Sequence, residues 1–208
     1  MGAKPKSRKQ SAFAGAANVF REHGGVLRTM EAIRRGVHPR TLYAMRDAGV
    51  LERLGRGLYR LAELPPLGSP DLVAVALRIP DGVLCLISAL AFHELTSQIP
   101  HEVCVALKRG AEPPRLEHPP VRVFWFTGTA FTEGVETHEL DGVDVRVYGA
   151  AKTVADCFKY RNKLGLDTAI ESLRLFLKEK RGSPDDLVRL ARVCRVEKVM
   201  RPYIEALL

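Results

Sequence analysis

From Phe13 the apolar positions fall at Phe13, Ala16, Ala17 and Phe20, the spacing of a helix with one buried face. His23-Gly24-Gly25 stops that helix. Thr29 can then cap a short second helix whose Met30 and Ile33 face inward, with Gly36 ending it. Pro39, suited to a first helical position, opens a third helix running to Ala48, with Leu42 and Met45 inward and Gly49 as its stop. Leu51–Leu54 and Leu58–Leu61 then flank Gly55-Arg56-Gly57 and predict a hairpin. Helix, short helix, helix and hairpin within about fifty residues is the element order of a winged helix-turn-helix, and the short glycine-bearing turn Arg35–His38 fits it. A three-helix bundle with an incidental hairpin is the rival. Arg53, Arg56 and Arg60, balanced on the hairpin only by Glu52, favour the wing.

Ala62–Gly68 is a proline-marked linker. After it come a helix opened by Ser69-Pro70-Asp71 and a helix from Ala89 to Leu95 with Ser88 as its cap. Strands are predicted at Val103–Leu107, Val121–Phe126, Val135–Leu140 and Val143–Tyr148, the last two joined by Asp141-Gly142, a strong two-residue hairpin signal. The pattern turns helical from Ala150, with segments over Ala150–Tyr160, Leu166–Lys180, Pro184–Cys194 (capped by Ser183) and Val196–Leu207, the last interrupted by Pro202. The expected fold class is α+β: an N-terminal winged helix-turn-helix, then an α+β domain with a small, mostly antiparallel sheet and C-terminal helices. The domains are a disordered basic arm at 1–12, a winged helix at 13–61, a linker at 62–68 and the second domain at 69–208.

Charge separates these segments. Residues 1–61 hold 13 Lys and Arg against 4 Asp and Glu, residues 62–149 hold 6 against 12, and residues 150–208 hold 13 against 8. The whole net charge is +8, so the first 61 residues exceed the entire surplus. A basic N-terminal block beside an acidic middle directs the first segment at a polyanion. For Lys4–Lys9 alone a solubilising tail is the other reading, but nine of the block's basic residues lie beyond Lys9. No apolar run approaches the ~20 residues of a membrane span, and the basic start is followed by no apolar signal segment, so a cytoplasmic protein without membrane contact is expected. Cys85, Cys104, Cys157 and Cys194 form no CxxC pair and read as reduced core thiols.

The chain carries few motifs of known chemistry. His93-Glu94 and His101-Glu102 begin an HExxH pattern, but positions 97 and 105 are Ser and Val, so both imidazoles could not face one zinc; each histidine reads as a surface or satisfied core residue. Gly55-Arg56-Gly57 lacks the Lys-Ser/Thr of a phosphate loop and the third glycine of a dinucleotide fingerprint, and no G-x-S-x-G elbow is present. A restriction-type nuclease needs an acid followed two positions later by lysine, and none of the 24 Asp and Glu residues has one. The acids Glu133, Glu136, Glu139, Asp141 and Asp144 then read as a solvated face. Lys152 and Asp156, four apart on a helix, read as a surface ion pair worth a few tenths of a kcal/mol. No catalytic residue, metal site or cofactor is expected.

Gly25–Leu61, and within it GVHPRTLYAMRDAGVLERLGRGLYRL, resembles the N-terminal winged helix of the AbiEi-type antitoxins, the antitoxin half of type IV toxin–antitoxin systems. LISALAFHEL and DGVDVRVYGAAKTVADCFKYRNKLG are similar to the family's later segments, the second matching its strand followed by a (R/K)-T-x-x-D helix, so the resemblance spans about residues 13–180. It implies a bacterial DNA-binding autorepressor without catalysis, encoded beside a nucleotidyltransferase-like toxin that the second domain counters. Related chains carry a nuclease-like C-terminal domain, which the missing acid-x-Lys argues against. A solitary winged-helix regulator with a sensing or dimerising domain is the alternative, and a DNA nuclease the third.

The DNA-facing residues expected from this reading are His38, Arg40, Thr41 and Tyr43 at the start of the third helix, with Arg56 at the wing tip in the minor groove and Arg53 and Arg60 along the phosphates. Arg40 suits either a bidentate guanine contact or a phosphate. The partner is double-stranded DNA at the chain's own promoter, with inverted repeats. Lys159, Arg161, Lys163, Arg174, Lys178, Lys180 and Arg181 form a second cationic cluster, of which Lys163, Arg174, Lys178 and Arg181 are expected to face the toxin or its RNA or nucleotide target, unless they are simply a solvated helix face.

Overall fold

In a computed structural model, which describes residues 5–112, 115–116 and 118–207, the N-terminal helix starts earlier than its apolar pattern does. Helix α1 spans Pro5–Arg21, so residues 5–12, expected as a disordered arm, are its first turns; residues 1–4 lie outside the described residues. Pro5 sits where proline is favoured, and Lys, Arg, Gln and Ala after it are good helix formers that need no buried face to continue a turn. Ala16, Ala17 and Phe20 are buried as predicted, with Phe13 packed beside them.

Strand β1 (Val26–Arg28) follows, then α2 (Thr29–Arg34), α3 (Pro39–Asp47), β2 (Leu51–Gly55) and β3 (Leu58–Leu61). The sequence pattern did not show β1, and it completes a three-stranded sheet in the order β1-β3-β2, with β3 antiparallel to both neighbours. Leu42 and Met45 are fully buried on the inner face of α3, as predicted. Met30 does not face inward: it is 62% exposed, and Ala32 is the residue of α2 that enters the core. Thr29 does not cap α2 with its side chain, since its hydroxyl donates to the Gly57 carbonyl instead.

The next elements are α4 (Pro70–Arg78), β4 (Val83–Leu84), α5 (Leu86–Phe92), β5 (Val103–Lys108), β6 (Val121–Phe126), α6 (Thr129–Thr132), β7 (Val135–Leu140) and β8 (Val143–Tyr148). Helices α7 (Ala150–Lys159), α8 (Arg161–Leu164), α9 (Leu166–Lys178), α10 (Pro184–Val193) and α11 (Glu197–Leu207) complete the chain. The α+β class holds. The five-stranded sheet, ordered β6-β5-β4-β8-β7, is mixed where mostly antiparallel pairing was expected: β4 runs antiparallel to β5, but β5 pairs parallel with β6 and β4 parallel with β8. The twelve residues between Lys108 and Val121 give the chain the length a parallel return requires. Asp141 and Gly142 both have positive φ (52° and 77°), as a type I′ turn demands. Ser88 lies inside α5 rather than capping it; Cys85 is the cap residue, and the Ser88 hydroxyl takes the Cys104 amide at 2.8 Å. Ser183 does cap α10, accepting from the Asp186 amide at 3.0 Å. Pro202 is accommodated inside α11.

The chain forms two compact units. One runs to Ala74 and includes Glu139–Asp144; the other holds Val75–His138 and the chain from Val145 onward. Each has its own hydrophobic core, around Phe20, Leu42, Met45 and Leu61 in the first and around Leu86, Phe126, Phe158 and Phe176 in the second.

Candidate nucleic-acid interface

The turn between α2 and α3 is built by backbone chemistry. Gly36 takes φ +91°, the left-handed conformation that ends a helix, and its N–H donates to the Ile33 carbonyl while Val37 N–H reaches the Ala32 carbonyl. Val37 is 3% exposed and pins the turn to the core. His38 is the cap residue of α3: its Nδ1 accepts the Arg40 amide at 3.1 Å, leaving Nε2 as the ring's outward nitrogen. Pro39 then starts the helix with φ preset. Arg40 and Tyr43 are exposed on the side of α3 away from Leu42 and Met45, and Thr41 is half-buried. The Arg46 guanidinium lies 5.3 Å from the centre of the Tyr43 ring and pairs with Asp47 at 2.7 Å, which raises its already high pKa.

The hairpin after α3 is tied to the start of α2. Thr29 donates to the Gly57 carbonyl from both its amide (2.9 Å) and its hydroxyl (3.3 Å). A β-bulge between Arg53 and Gly55 and the positive φ of Gly57 turn the chain. Arg56 is exposed at the tip, and Arg53 is exposed with its Nε donating to the Gly55 carbonyl at 3.1 Å. Arg60 corrects an expectation. It is 4% exposed, it pairs with Glu52 at 2.5 Å and it donates to the Pro65 carbonyl, so it faces the interior of its own domain rather than phosphates. The unseen strand β1 explains this: β3 lies between two strands, and all four of its residues are buried.

In the second unit the expected surface pair Lys152–Asp156 is buried completely, both side chains at 0% exposure and 2.5 Å apart. Lys152 Nζ stands 4.0 Å from the centre of the Tyr148 ring and 4.9 Å from that of Phe126, and Asp156 accepts from the Cys194 thiol at 3.1 Å. Burial pushes the Asp156 carboxyl above its usual range, opposed by Lys152. With both charged side chains fully buried, the cluster reads as core. His93 is the satisfied histidine expected, its ring hydrogen-bonded with the Tyr148 carbonyl at 2.8 Å and its pKa lowered by burial. Among the described residues no group of His, Cys, Asp and Glu is placed to hold a metal ion.

The expected second cationic face divides. Arg174 and Lys178 line one cavity of about 440 Å³ together with Lys180. Lys163 lines a different cavity, and Arg181 is engaged by Glu94 at 2.5 Å.

Residues 16–62 match the family described as transcriptional regulator, AbiEi antitoxin. The match begins inside α1, runs through β3 and ends one residue beyond the hairpin, and it contains the Gly25–Leu61 segment that carried the resemblance. Over 86% of this chain the fold is similar to the solved structure of the RV2827C protein from Mycobacterium tuberculosis, covering 70% of that chain with a TM-score of 0.58 at 15% identity; at that identity the likeness is one of fold. No curated protein matches the sequence. Among the described residues no helix is long and apolar enough to cross a membrane.

Proposed function

We propose that this AbiEi-like chain is a cytoplasmic DNA-binding antitoxin that represses its own operon, with residues 13–61 as the DNA-binding domain, 62–68 as a linker and 69–208 as the antitoxin domain. The observation that carries it is the α2–turn–α3 unit with its tethered basic hairpin, in the segment that matches the regulator family. In a helix-turn-helix the first turns of the second helix reach base edges. Arg40, Thr41, Tyr43 and the free Nε2 of His38 occupy that position, and Arg40 is the residue suited to a guanine. Arg56 enters or straddles the minor groove and Arg53 lies on the flanking phosphates; Arg60 takes no part. The second domain works as a binding surface rather than an active site. Its Arg174–Lys178–Lys180 cavity meets the nucleotidyltransferase-like toxin, or the RNA or nucleotide that the toxin uses.

The test is a titration of the full chain against the DNA upstream of its own gene and against a shuffled duplex, over a series of salt concentrations, beside survival of cells expressing the neighbouring toxin with and without this chain. The proposal expects sequence preference, affinity that falls steeply with salt, and survival. An upstream duplex bound no better than the shuffled one removes the repressor. Promoter binding by an orphan gene, with no toxin to counter, leaves a solitary regulator.

A further inference from the structure

Strand β6 is an edge of the five-stranded sheet, and its middle residues border a cavity of about 410 Å³ lined by Arg109, Arg122, Phe124, Trp125, Tyr160 and Lys163. We propose that this cavity binds a nucleotide unit, an aromatic base carrying phosphate, and that it does so independently of the DNA-binding reading above.

Charge is the first support. The segment from residue 62 to 149 carries twice as many acids as bases, yet its Arg109 and Arg122, joined by Lys163, line this cavity with no carboxylate among the described lining residues. Arg122 is held by Glu102 at 3.3 Å and stacks 5.3 Å from the Phe124 ring centre, so it is oriented but partly neutralised. Arg109 and Lys163 have no side-chain hydrogen bond or ion pair among the described residues, and both are exposed. Lys163 Nζ lies 5.8 Å from the centre of the Tyr160 ring, which leaves its charge unneutralised. Two cations without a carboxylate partner among the described residues, at one concavity, match a phosphate group.

The aromatic residues are the second support. Trp125 is 45% exposed, and its indole N–H is fixed on the Ala111 carbonyl at 3.3 Å, so the ring is held in place with much of its surface in water. Tyr160 is immobilised by edge packing on Phe124 (5.3 Å between ring centres) and by Phe126 (5.6 Å). A fixed, solvent-facing aromatic beside exposed cations is the arrangement that stacks a base and holds its phosphate. The volume fits a small ligand and is far too confined for a duplex.

Trp125 is the chain's single tryptophan, so fluorescence excited selectively at tryptophan, beyond the absorption of the five tyrosines, reports this site alone. Full-length protein is titrated with ATP, GTP, a ten-residue RNA and inorganic triphosphate. The proposal expects saturable quenching by a mononucleotide or by the RNA. Arg109→Ala with Lys163→Ala should weaken that binding about tenfold or more. By calorimetry, Trp125→Ala should weaken it about tenfold while Trp125→Phe, which keeps a stacking face, retains most of it. Quenching by mononucleotides identifies a free nucleotide as the source, and quenching by the RNA alone identifies a single strand. No saturable quenching by either, equal affinity for inorganic triphosphate, or binding that survives the double variant overturns the site. Loss of operator binding with quenching intact would overturn the repressor and spare this proposal.

Discussion

Arg60 and Glu52 stand directly opposite each other on β3 and β2, and the guanidinium of the buried Arg60 meets the half-exposed carboxylate of Glu52 at 2.5 Å. The pair holds the base of the wing and does not offer the charge to a partner. Arg60→Ala is expected to destabilise the N-terminal unit by about 1–3 kcal/mol, less than a fully buried pair because water reaches Glu52. Thermal unfolding measures it. Below the transition, the salt slope of DNA binding should be unchanged; full stability with a slope reduced by about one phosphate's worth would return Arg60 to the phosphates.

Arg40 and Arg56 should separate specificity from affinity. Arg40→Ala is expected to relax preference at one base pair, by about 1–3 kcal/mol, while other positions keep theirs. Arg56→Ala should weaken binding most on operators with a narrow A-tract groove at the wing. Binding-site selection with each variant checks both. A uniform loss across all sequences with Arg40→Ala would assign that residue to the backbone.

Much of this candidate interface is legible in the sequence because the signals are local. The spacing of Leu42 and Met45, Pro39 at the helix start and the glycine-bearing turn all act within a few residues, and they place Arg40 and Tyr43 outward without tertiary help. What escaped reading was set at long range. Strands β1 and β4 have three and two residues, too few to show a period, yet β1 decides that Arg60 is buried and β4 joins β5 to β8. The spacing of Lys152 and Asp156 foretold their contact but not their burial. That follows from α5, α9, α10 and α11 packing around α7. Helical spacing places Met30 inward, but α2 has only six residues and Ala32 alone fills the core.

The buried pair gives a double-mutant prediction. Lys152→Met strands a carboxylate in the core and is expected to cost about 3–5 kcal/mol, as is Asp156→Leu, which strands the ammonium. The two together should recover most of that loss, because no uncompensated charge remains. Denaturant unfolding of the four proteins tests it, and additive losses in the double variant would contradict the coupling.

The four cysteines are buried, and burial pushes each thiol upward, Cys194 to about 12. Two outcomes are expected. At pH 8 the native protein should leave all four unreactive toward a thiol reagent, and denaturant should expose four. The pH dependence has a definite sign: the unfolded chain releases these protons near pH 9 and the folded one at higher pH, well higher for Cys85 and Cys157. The stabilisation is therefore complete below about pH 8 and declines as pH rises toward 12, by at most about 1.4 kcal/mol per unit for each ionising thiol. Stability that climbs over that range would rule out the burial-raised thiols as its determinant.

The cavity formed by Arg174, Lys178 and Lys180 is the part of the second cationic cluster with converging charge. Lys178 has Glu179 only at 3.7 Å, and Arg174 and Lys180 have no side-chain ion pair among the described residues, whereas Arg181 is already spent on Glu94. Antitoxin activity that runs through this surface should therefore be lost on Arg174→Glu with Lys178→Glu, and kept on Arg181→Gln. Repression should survive the double reversal, because nothing in residues 13–61 is altered. Reporter expression from the promoter and survival with the toxin, measured on the same strains, make the two activities separable. Survival unaffected by the double reversal takes this cavity out of the mechanism. Survival lost together with repression means that protection works by silencing the toxin gene, and the second domain then has a different task.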